Sequence, residues 1–451
     1  MRHVRRLTLT SLDLPRSLSI KRTNGRLRVI CLSRVSWRSL PCMSRLPSVR
    51  GVRSIVTQDT SETLPIASLV AVIGGLTVVA MTAGFNAPLF STRLDAMGYS
   101  DQLIGINAAA NSVAPFLMAP LAPLILARYG LARVMIVSGI LEAILFLACI
   151  VVPGFWGWTA IRLMMGFIAG VSWVAGEVWI TQAATDATRG RVLAIYNSSF
   201  GLGTAAGPVL LTWAGHSGPA PFFLAAVLLV VSVLPVIWAR HLAPTMHNDG
   251  NRPSVRLLMV PLRTAPVPMM LNLSYAMVFV AIWTFLPVYA VDTNYSVEHA
   301  YLQLSVFAIG SIVLQLPIGW IVDRGNSRLT GLALLTATLM AVATLETFVQ
   351  WLWLDFAYFF ILGGISSGLY VVALTIIGAK FRGPALAGAV TIYTLMWSLG
   401  ALIGPPIVGE INDHVGPAGL TVSLILFTAV FIPFVARDWW RNRVEDRTST
   451  S

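Results

Sequence analysis

The run PIASLVAVIGGLTVVAMTAGFNAPLF, from Pro65 to Phe90, contains no charged residue over 26 positions. A segment needs roughly 20 mostly apolar residues to cross a bilayer as a helix. Because backbone groups in lipid must bond within the segment, such a run is helical. The stretch therefore predicts a transmembrane helix.

The composition of the whole chain agrees with this stretch. Of the 451 residues, 56% are hydrophobic and 11% are charged, and the mean hydropathy is +0.76. Soluble domains carry about 25% charged residues. A soluble protein of this length could not hide so much apolar surface from water, so the bilayer is the expected solvent.

Comparable apolar runs recur along the chain and predict an all-α integral membrane protein with twelve transmembrane helices. The runs are continuous rather than alternating, which disfavours a barrel. The predicted spans are 65–90, 103–127, 132–153, 155–184, 190–214, 219–241, 266–291, 299–322, 329–350, 352–379, 385–410 and 415–436.

The loops between these spans predict an orientation. The loops after even-numbered spans, together with the tail, hold sixteen basic residues, whereas the opposite loops hold one, Arg93. The opposite loops carry acids instead: Asp95, Asp101, Asp292, Glu298, Glu410 and Asp413. Basic loops stay in the cytoplasm, so both termini are predicted to be cytoplasmic. The net charge of +12 therefore indicates topology rather than a nucleic-acid partner.

Residues 1–60 differ from the rest of the chain. They hold 13 of the 31 Lys and Arg residues but only two acids, Asp13 and Asp59, and no long apolar run. We expect a disordered basic extension on the cytoplasmic face or a mis-assigned start upstream of Met43. A transit peptide, which would place the protein in an organellar membrane, is the alternative.

Two segments of the chain repeat at an offset near 197 residues. GTAAGP, Gly203 to Pro208, corresponds to GALIGP, Gly400 to Pro405, and Tyr196 corresponds to Tyr393. Parallel halves of this kind place a substrate site at their interface near mid-membrane. The predicted organisation is a six-helix half 61–241, a cytoplasmic linker 242–265, a second six-helix half 266–437 and a tail 438–451.

The sequence GWIVDRGNSR, with Gly319, Asp323, Arg324 and Arg328, resembles the loop signature of the major facilitator superfamily. The corresponding first-half loop keeps Arg128 but has Ala127 where the family has an acid. The resemblance covers residues 65–437. It implies that this loop latches neighbouring helices on the cytoplasmic side. A solvated turn that anchors topology is the alternative.

Two further motifs support the resemblance. RLMMGFIAG begins at Arg162, whose counterpart in the family is tied to proton coupling or to anionic substrate groups; the alternative is an arginine that reaches the outer headgroups. GTAAGP resembles the glycine-rich motif of proton-coupled antiporters. Its small residues also suit close helix packing. The candidate hinge and packing residues are Gly166, Gly203, Gly207, Pro208, Gly400, Gly404 and Pro405.

Acids inside apolar spans are candidates for function because an unpaired charge in lipid is costly. Glu142 lies in the third span and Glu177 in the fourth. The resemblance implies that spans 1, 4, 7 and 10 line the cavity, which favours Glu177 over Glu142 for gating or proton relay. Glu346 and Asp355 lie near span ends and are expected to be interfacial.

The predicted lining spans also carry polar and aromatic side chains. These candidate substrate contacts are Asn86, Trp173, Asn272, Tyr275, Trp283, Tyr358 and Tyr370. Any one of them can instead hold helices together. Such an aromatic, weakly charged lining suits a neutral, amphipathic or anionic solute better than a polycation.

These features predict a secondary active transporter rather than an enzyme. The chain lacks a complete GxxxxGK[ST] loop for ATP, and its six His do not show metal-site spacing, so no cofactor or metal is expected. Proton-coupled efflux is the preferred mode, with proton-coupled uptake or a non-transporting membrane sensor as alternatives. The expected partners are lipid, a small solute and protons, and the expected state is a monomer in the bacterial inner membrane.

Overall fold

The structure, a computed structural model, describes residues 18–23, 26–31, 66–118, 121–152, 154–185, 188–215, 217–244, 261–293, 295–349 and 353–449. The chain forms two compact units, residues 1–61 and 62–451. Most of the extension 1–60 and most of the linker 242–265 lie outside these described ranges.

The first unit contains two antiparallel strands, Leu18–Thr23 and Arg26–Cys31, which the apolar pattern did not predict. Leu18 pairs with Cys31 and Thr23 pairs with Arg26. Asn24 and Gly25 separate the strands in sequence, and this pair is the strongest short-range signal for a hairpin turn.

Within its described residues, the regular secondary structure of the second unit is helical, and the unit has the twelve-span fold. Spans 1 to 6 are Ile66–Ala96, Asp101–Met118 with Ala122–Tyr129, Leu131–Val151, Phe155–Ala183, Arg189–Ala214, and Ala220–Ala239 with the 3-10 turn Arg240–Leu242. Spans 7 to 12 are Pro266–Asp292, Val297–Val313 with Gln315–Arg324, Ser327–Ala343 with Leu345–Val349, Leu354–Lys380, Gly383–Val415, and Ala418–Ala429 with Ile432–Ser449.

Nine of these twelve described spans are long and apolar enough to cross a membrane by length and composition. The other three are spans 2, 5 and 9. Spans 2 and 9 are divided into shorter helices. The second segments of spans 2, 8 and 12 each have a proline in their first turn: Pro123, Pro317 and Pro433. The first turn is where the missing N–H of proline costs least, and a proline there ends the preceding helix.

The bundle has two chemically distinct ends. We call the end with the Arg-rich loops, where even-numbered spans finish, the basic end, and the opposite end the acidic end. One hydrophobic core at the acidic end contains residues of both halves, including Phe90, Trp158, Trp283 and Tyr301. At the basic end each half has a core of its own, around Trp179 in the first half and around Leu369 in the second. The halves therefore share a core only towards the acidic end.

Candidate transport site

The repeated glycine motif brings the lining spans close to their neighbours in both halves. In the first half, a methyl group at Gly203 would overlap the Thr77 carbonyl oxygen of span 1, and one at Gly207 would lie 2.5 Å from the Met81 oxygen. Pro208 lies inside the same helix. Such contacts leave no room for a side chain.

The second half repeats this arrangement between spans 7 and 11. A methyl group at Gly400 would lie 2.7 Å from Ala276 Cβ, and one at Gly404 would lie 3.3 Å from Met277 Cα. Pro405 lies one residue further along span 11. Spans 1 and 7 are thus held against spans 5 and 11 by equivalent small residues.

A cluster of aromatic side chains surrounds Glu177 on the first-half side of the interface. The Trp173 and Phe200 rings lie 4.5 Å apart, and Phe200 lies 6.2 Å from Tyr196. Glu177 is one turn beyond Trp173 on span 4, so the indole N–H can donate to its carboxylate. Both Glu177 and Trp173 are exposed.

The second half presents a longer aromatic wall. Tyr370 lies 5.4 Å from Tyr393 and 6.3 Å from Tyr275, measured between ring centroids. Trp397 lies 5.1 Å from Tyr275 and 5.5 Å from Phe279. Spans 7, 10 and 11 thus form a continuous aromatic surface.

The two walls meet near Glu177. Glu177 and Tyr196 of the first half are close enough to Tyr370 of the second half to interact with it electrostatically. Towards the acidic end, Trp283 stacks on Phe279 at 4.8 Å. We call the following residues the central site: Trp173, Glu177, Tyr196, Phe200, Tyr275, Phe279, Trp283, Tyr370, Tyr393 and Trp397.

The acidic end is closed by polar contacts between spans 2 and 11, which we call the acidic-end seal. The carboxylate of Asp413 accepts hydrogen bonds from the backbone N–H groups of Asp101 at 2.9 Å and Gln102 at 3.2 Å. The Asn412 amide donates to the Asp101 carboxylate at 2.8 Å, and the Gln102 amide donates to Glu410. The second half thus caps the helix of span 2 in the first half.

The other hydrogen bonds between the halves lie on the same side. Thr92 and Tyr301 share one at 3.1 Å, and the Trp283 indole donates to the Gly84 carbonyl at 2.8 Å. Within the part of the chain that the structure describes, every hydrogen bond that joins the halves lies nearer the acidic end. The interface is consequently closed at the acidic end. At the basic end no hydrogen bond between described residues joins the halves, and Trp173, Glu177 and Tyr370 are exposed, so we call that end parted.

The seal concentrates negative charge. Asp101 lies at the start of its helix, outside the predicted apolar span. Burial raises the pKa of its carboxyl from 3.8 to about 6, and the nearby carboxylates of Asp292, Asp413 and Asp95 add to this, while the hydrogen bond from Asn412 opposes it. The seal is therefore sensitive to pH on that side.

Glu142 is buried inside the first half, away from the central site. Its side chain lines a small cavity of about 10 Å³ with Ser172 and Ser232, and the cavity walls include Gly75 and Gly139 of spans 1 and 3. Such a volume is about that of one water probe. No described residue forms an ion pair with Glu142.

Arg162 is also buried in the first half, with 3% of its surface exposed. Its guanidinium lies 4.8 Å from the centre of the Phe90 ring, and its Nε has no hydrogen-bond partner among the described residues. A methyl group at Gly166, one turn further on, would overlap the Asn111 carbonyl oxygen of span 2. Arg162 thus faces the acidic-end core rather than Glu142 or Glu177.

The predicted latch residues lie at the basic end. Arg328 binds Asp438 of span 12 at 3.0 Å, and Arg324 covers the Trp320 ring at 3.9 Å. Asp323 is exposed. It forms no ion pair with any residue that the structure describes. Arg128 is exposed too and lies 5.5 Å from the Tyr129 ring.

Three of the predicted substrate contacts are not among the central-site residues. The Asn272 amide donates to the Tyr393 carbonyl at 2.7 Å, and the Tyr358 hydroxyl donates to the Ala341 carbonyl at 2.6 Å. Asn86 has a buried amide oxygen without a partner among the described residues. The structure places Trp173, Tyr275, Trp283 and Tyr370, by contrast, together in the central site.

Asp355 belongs to a buried polar cluster that sequence reasoning missed. It is fully buried rather than interfacial, and its carboxylate binds His299 and the Gln303 amide, the latter at 2.8 Å. The spacing of His299 and Gln303 puts both on one face of span 8, which is a signal that they share a partner. The sequence does not identify Asp355 as that partner, because Asp355 lies far from both residues along the chain.

The comparisons with known proteins agree with this architecture. The Major Facilitator Superfamily profile matches residues 72–343 and 269–451, so the chain belongs to that family. It is 24% identical over 332 residues to the uncharacterized MFS-type transporter YfkF of Bacillus subtilis, covering 73% of this chain and 85% of the relative. It is 23% identical over 296 residues to YcaD of Escherichia fergusonii, covering 63% and 73%.

Solved structures share the fold. The nucleoside transporter NupG matches with a TM-score of 0.65 at 13% identity, covering 83% of this chain and 98% of NupG. An inward-facing, unoccupied bacterial homologue of the human lysosomal transporter Spinster matches with a TM-score of 0.64 at 15% identity, covering 83% and 96%. The protein is a multi-pass membrane transporter of the major facilitator superfamily.

Proposed function

We propose that the protein is a secondary active carrier that moves a small solute by alternating access. The observation that carries this proposal is the asymmetry of the interface. The halves share one core and all their described hydrogen bonds towards the acidic end, while each half has its own core at the basic end. A rocking motion that breaks the seal and joins the basic end would expose the central site to the other side.

The predicted orientation assigns the parted end to the cytoplasm. Arg-rich loops stay on the cytoplasmic side, so both termini and the linker 242–265 would be there as well. The structure would then be the inward-open state. The central site is built from both halves of one chain, which suits a monomer in a bacterial inner membrane.

Proton coupling is supported by two carboxyl groups without a basic partner among the described residues. Glu177 is exposed in the central site, and Glu142 is buried beside a small cavity. Burying an unpaired carboxylate costs several kcal/mol, so each group must take up a proton or meet a cation before it is sealed from water. Efflux in exchange for protons is the preferred direction, and uptake with protons is the second candidate.

The latch is proposed to act in the opposite state. Asp323 is exposed where the halves are parted, and closing the basic end would bring it towards other charged helix ends. The first-half equivalent has Ala127, so the second-half latch would act alone.

Flux measurements in proteoliposomes with an imposed pH gradient test the proposal. A panel of cationic, neutral and anionic solutes is offered on each side, and gradient-dependent accumulation of at least one solute is expected. Vesicles without a gradient are one control. Vesicles containing the protein cross-linked across the acidic-end seal are the other. If no solute moves, the non-transporting sensor becomes the better interpretation.

A further inference from the structure

The central site combines one acid with many ring faces. Nine of its ten residues are aromatic, and Glu177 is the sole ionisable acid or base among them apart from tyrosine hydroxyls. Trp173 of the first half and Tyr370 of the second half expose 40% and 36% of their surfaces. The site therefore offers a solute several ring faces and a single carboxylate.

No basic side chain in the described part of the chain neutralises Glu177. It forms no ion pair with any described residue, although Arg128 and Arg189 lie on neighbouring helices at the same end. Arg162, on the same helix, is buried against Phe90 at the other end of the bundle. The central site therefore contains a carboxyl group without a basic partner among the described residues.

The polar groups of the walls other than Glu177 are neutral. The Trp283 indole and the Tyr393 hydroxyl donate to the backbone carbonyls of Gly84 and Tyr370, at 2.8 and 3.3 Å, whereas the buried Tyr196 hydroxyl has no hydrogen-bond partner among the described residues. Four of the rings are buried, and the rings that keep accessible surface are Trp173, Phe200, Phe279, Tyr370 and Trp397. The group of the site that can carry a full charge at neutral pH is thus a carboxyl, which favours a cation over an anion.

We propose that the central site binds an organic monocation with an apolar or aromatic body, and that Glu177 is its counter-ion. Ring faces carry negative electrostatic potential and attract ammonium, guanidinium or phosphonium groups, most strongly where water is excluded. A single carboxylate matches a single positive charge. This inference rests on the proposed carrier function and names the class of its substrate.

Binding of two ions of matched shape tests the charge preference. Tetraphenylphosphonium and tetraphenylborate are offered to purified protein in a neutral detergent, and binding is followed by tryptophan fluorescence. The wild type is expected to bind the phosphonium and to prefer it to the borate. Glu177→Gln should weaken phosphonium binding by about tenfold or more, because the counter-ion is lost.

Matched variants separate charge from folding. Glu177→Asp should retain more affinity than Glu177→Gln, and Glu346→Gln, which alters an exposed acid at the far end of span 9, should bind as the wild type does. Tyr370→Leu removes a ring face and should lose about threefold or more in affinity, and Tyr370→Phe, which keeps the ring, should lose less. Thermal unfolding of each variant confirms that it is folded.

Equal phosphonium affinity in wild type and Glu177→Gln, no phosphonium binding at all, or preferred borate binding would each overturn the inference. The measurement uses no gradient, so its outcome is independent of transport. Cation binding without flux would contradict the carrier proposal alone. Coupled flux of another solute without cation binding would contradict the inference alone.

Discussion

At the scale of single residues, the first half contains three ionisable groups that form no ion pair with any described residue. Arg162, Glu142 and Glu177 occupy three separate environments: the acidic-end core, a small sealed cavity and the parted interface. Replacing such groups by apolar residues of similar volume is often neutral or stabilising, so stability alone does not explain their presence.

Arg162→Met tests whether the buried arginine serves transport. Methionine keeps most of the volume and removes the charge, so we expect an unchanged or higher unfolding temperature in detergent. Gradient-driven flux should fall by about tenfold or more if Arg162 takes part in coupling. Arg133→Met, an exposed arginine at the basic end, is the matched control and should transport normally.

Normal coupled flux in Arg162→Met would assign the arginine a role in packing against Phe90 only. The sequence predicted that Arg162 and Glu177 matter because charges in apolar runs are costly. Their positions in the sequence also placed the two groups towards opposite ends of span 4. The sequence did not predict that Arg162 faces Phe90, because the direction of a side chain around a helix depends on which neighbours pack against it.

At the scale of elements, glycines allow the lining helices to pack closely against their neighbours. Gly203 touches span 1 closely, whereas a methyl group at Gly190, at the start of the same helix, would have no neighbouring atom within 4 Å. The two glycines allow a matched comparison within one span.

Gly203→Ala should lower the free energy of unfolding by about 1–3 kcal/mol, because the added methyl meets a backbone carbonyl that cannot move far. Gly190→Ala should instead be neutral or raise it by up to about 1 kcal/mol, since alanine favours the helix. Unfolding in a denaturing detergent series measures both. Equal effects of the two substitutions would contradict the packing account.

The seal between spans 2 and 11 responds to protons through Asp101. Its pKa is about 6 when the end is closed and should return towards 3.8 when the halves separate and water enters. The closed state therefore binds the proton more tightly. The stabilisation of the closed state by this proton is complete below the ordinary pKa of the Asp101 carboxyl, 3.8, and is lost as the pH rises through about 6.

Lowering the pH at the acidic end from about 7.5 to about 5 should shift the population towards the closed seal. Spin labels at Met97→Cys and Val415→Cys, two exposed positions of opposite halves, report the distance in a background without native cysteines. Asp101→Asn should reduce the pH dependence. An undiminished shift in this variant would assign the sensitivity to another group.

At the scale of the whole molecule, the two halves meet at one end only. A disulfide across the seal should hold this state, because the side chains of Gln102 and Glu410 touch and the backbones are close there: a methyl group at Gly409 would lie 2.7 Å from Gln102 Cα. The double variant Gln102→Cys, Glu410→Cys, once oxidised, should lose nearly all flux and regain it after reduction.

Each single cysteine variant serves as a control and should transport with or without oxidant. Solute binding from the basic end should survive cross-linking, since the central site is open there. Full flux in the oxidised double variant would show that the acidic end need not open, which would contradict alternating access.

The sequence by itself determined the environment, the number of spans, their division into two halves and the family. These properties follow from local rules: apolar length sets the spans, loop charge predicts orientation, and a repeat at an offset near 197 residues reveals the halves. The family profile over residues 72–343 and 269–451 and the shared fold confirmed the spans and the resemblance.

Only the tertiary structure decided which residues meet. Asp413 caps span 2 across more than 300 residues of chain, Asp355 binds His299 and Gln303, and Glu177 faces Tyr370. Such pairings depend on which helix faces pack together, which no local pattern records. The run Pro65 to Phe90 thus predicts a membrane-spanning helix by itself. The position of the candidate site depends instead on how spans 1 and 7 pack against their neighbours.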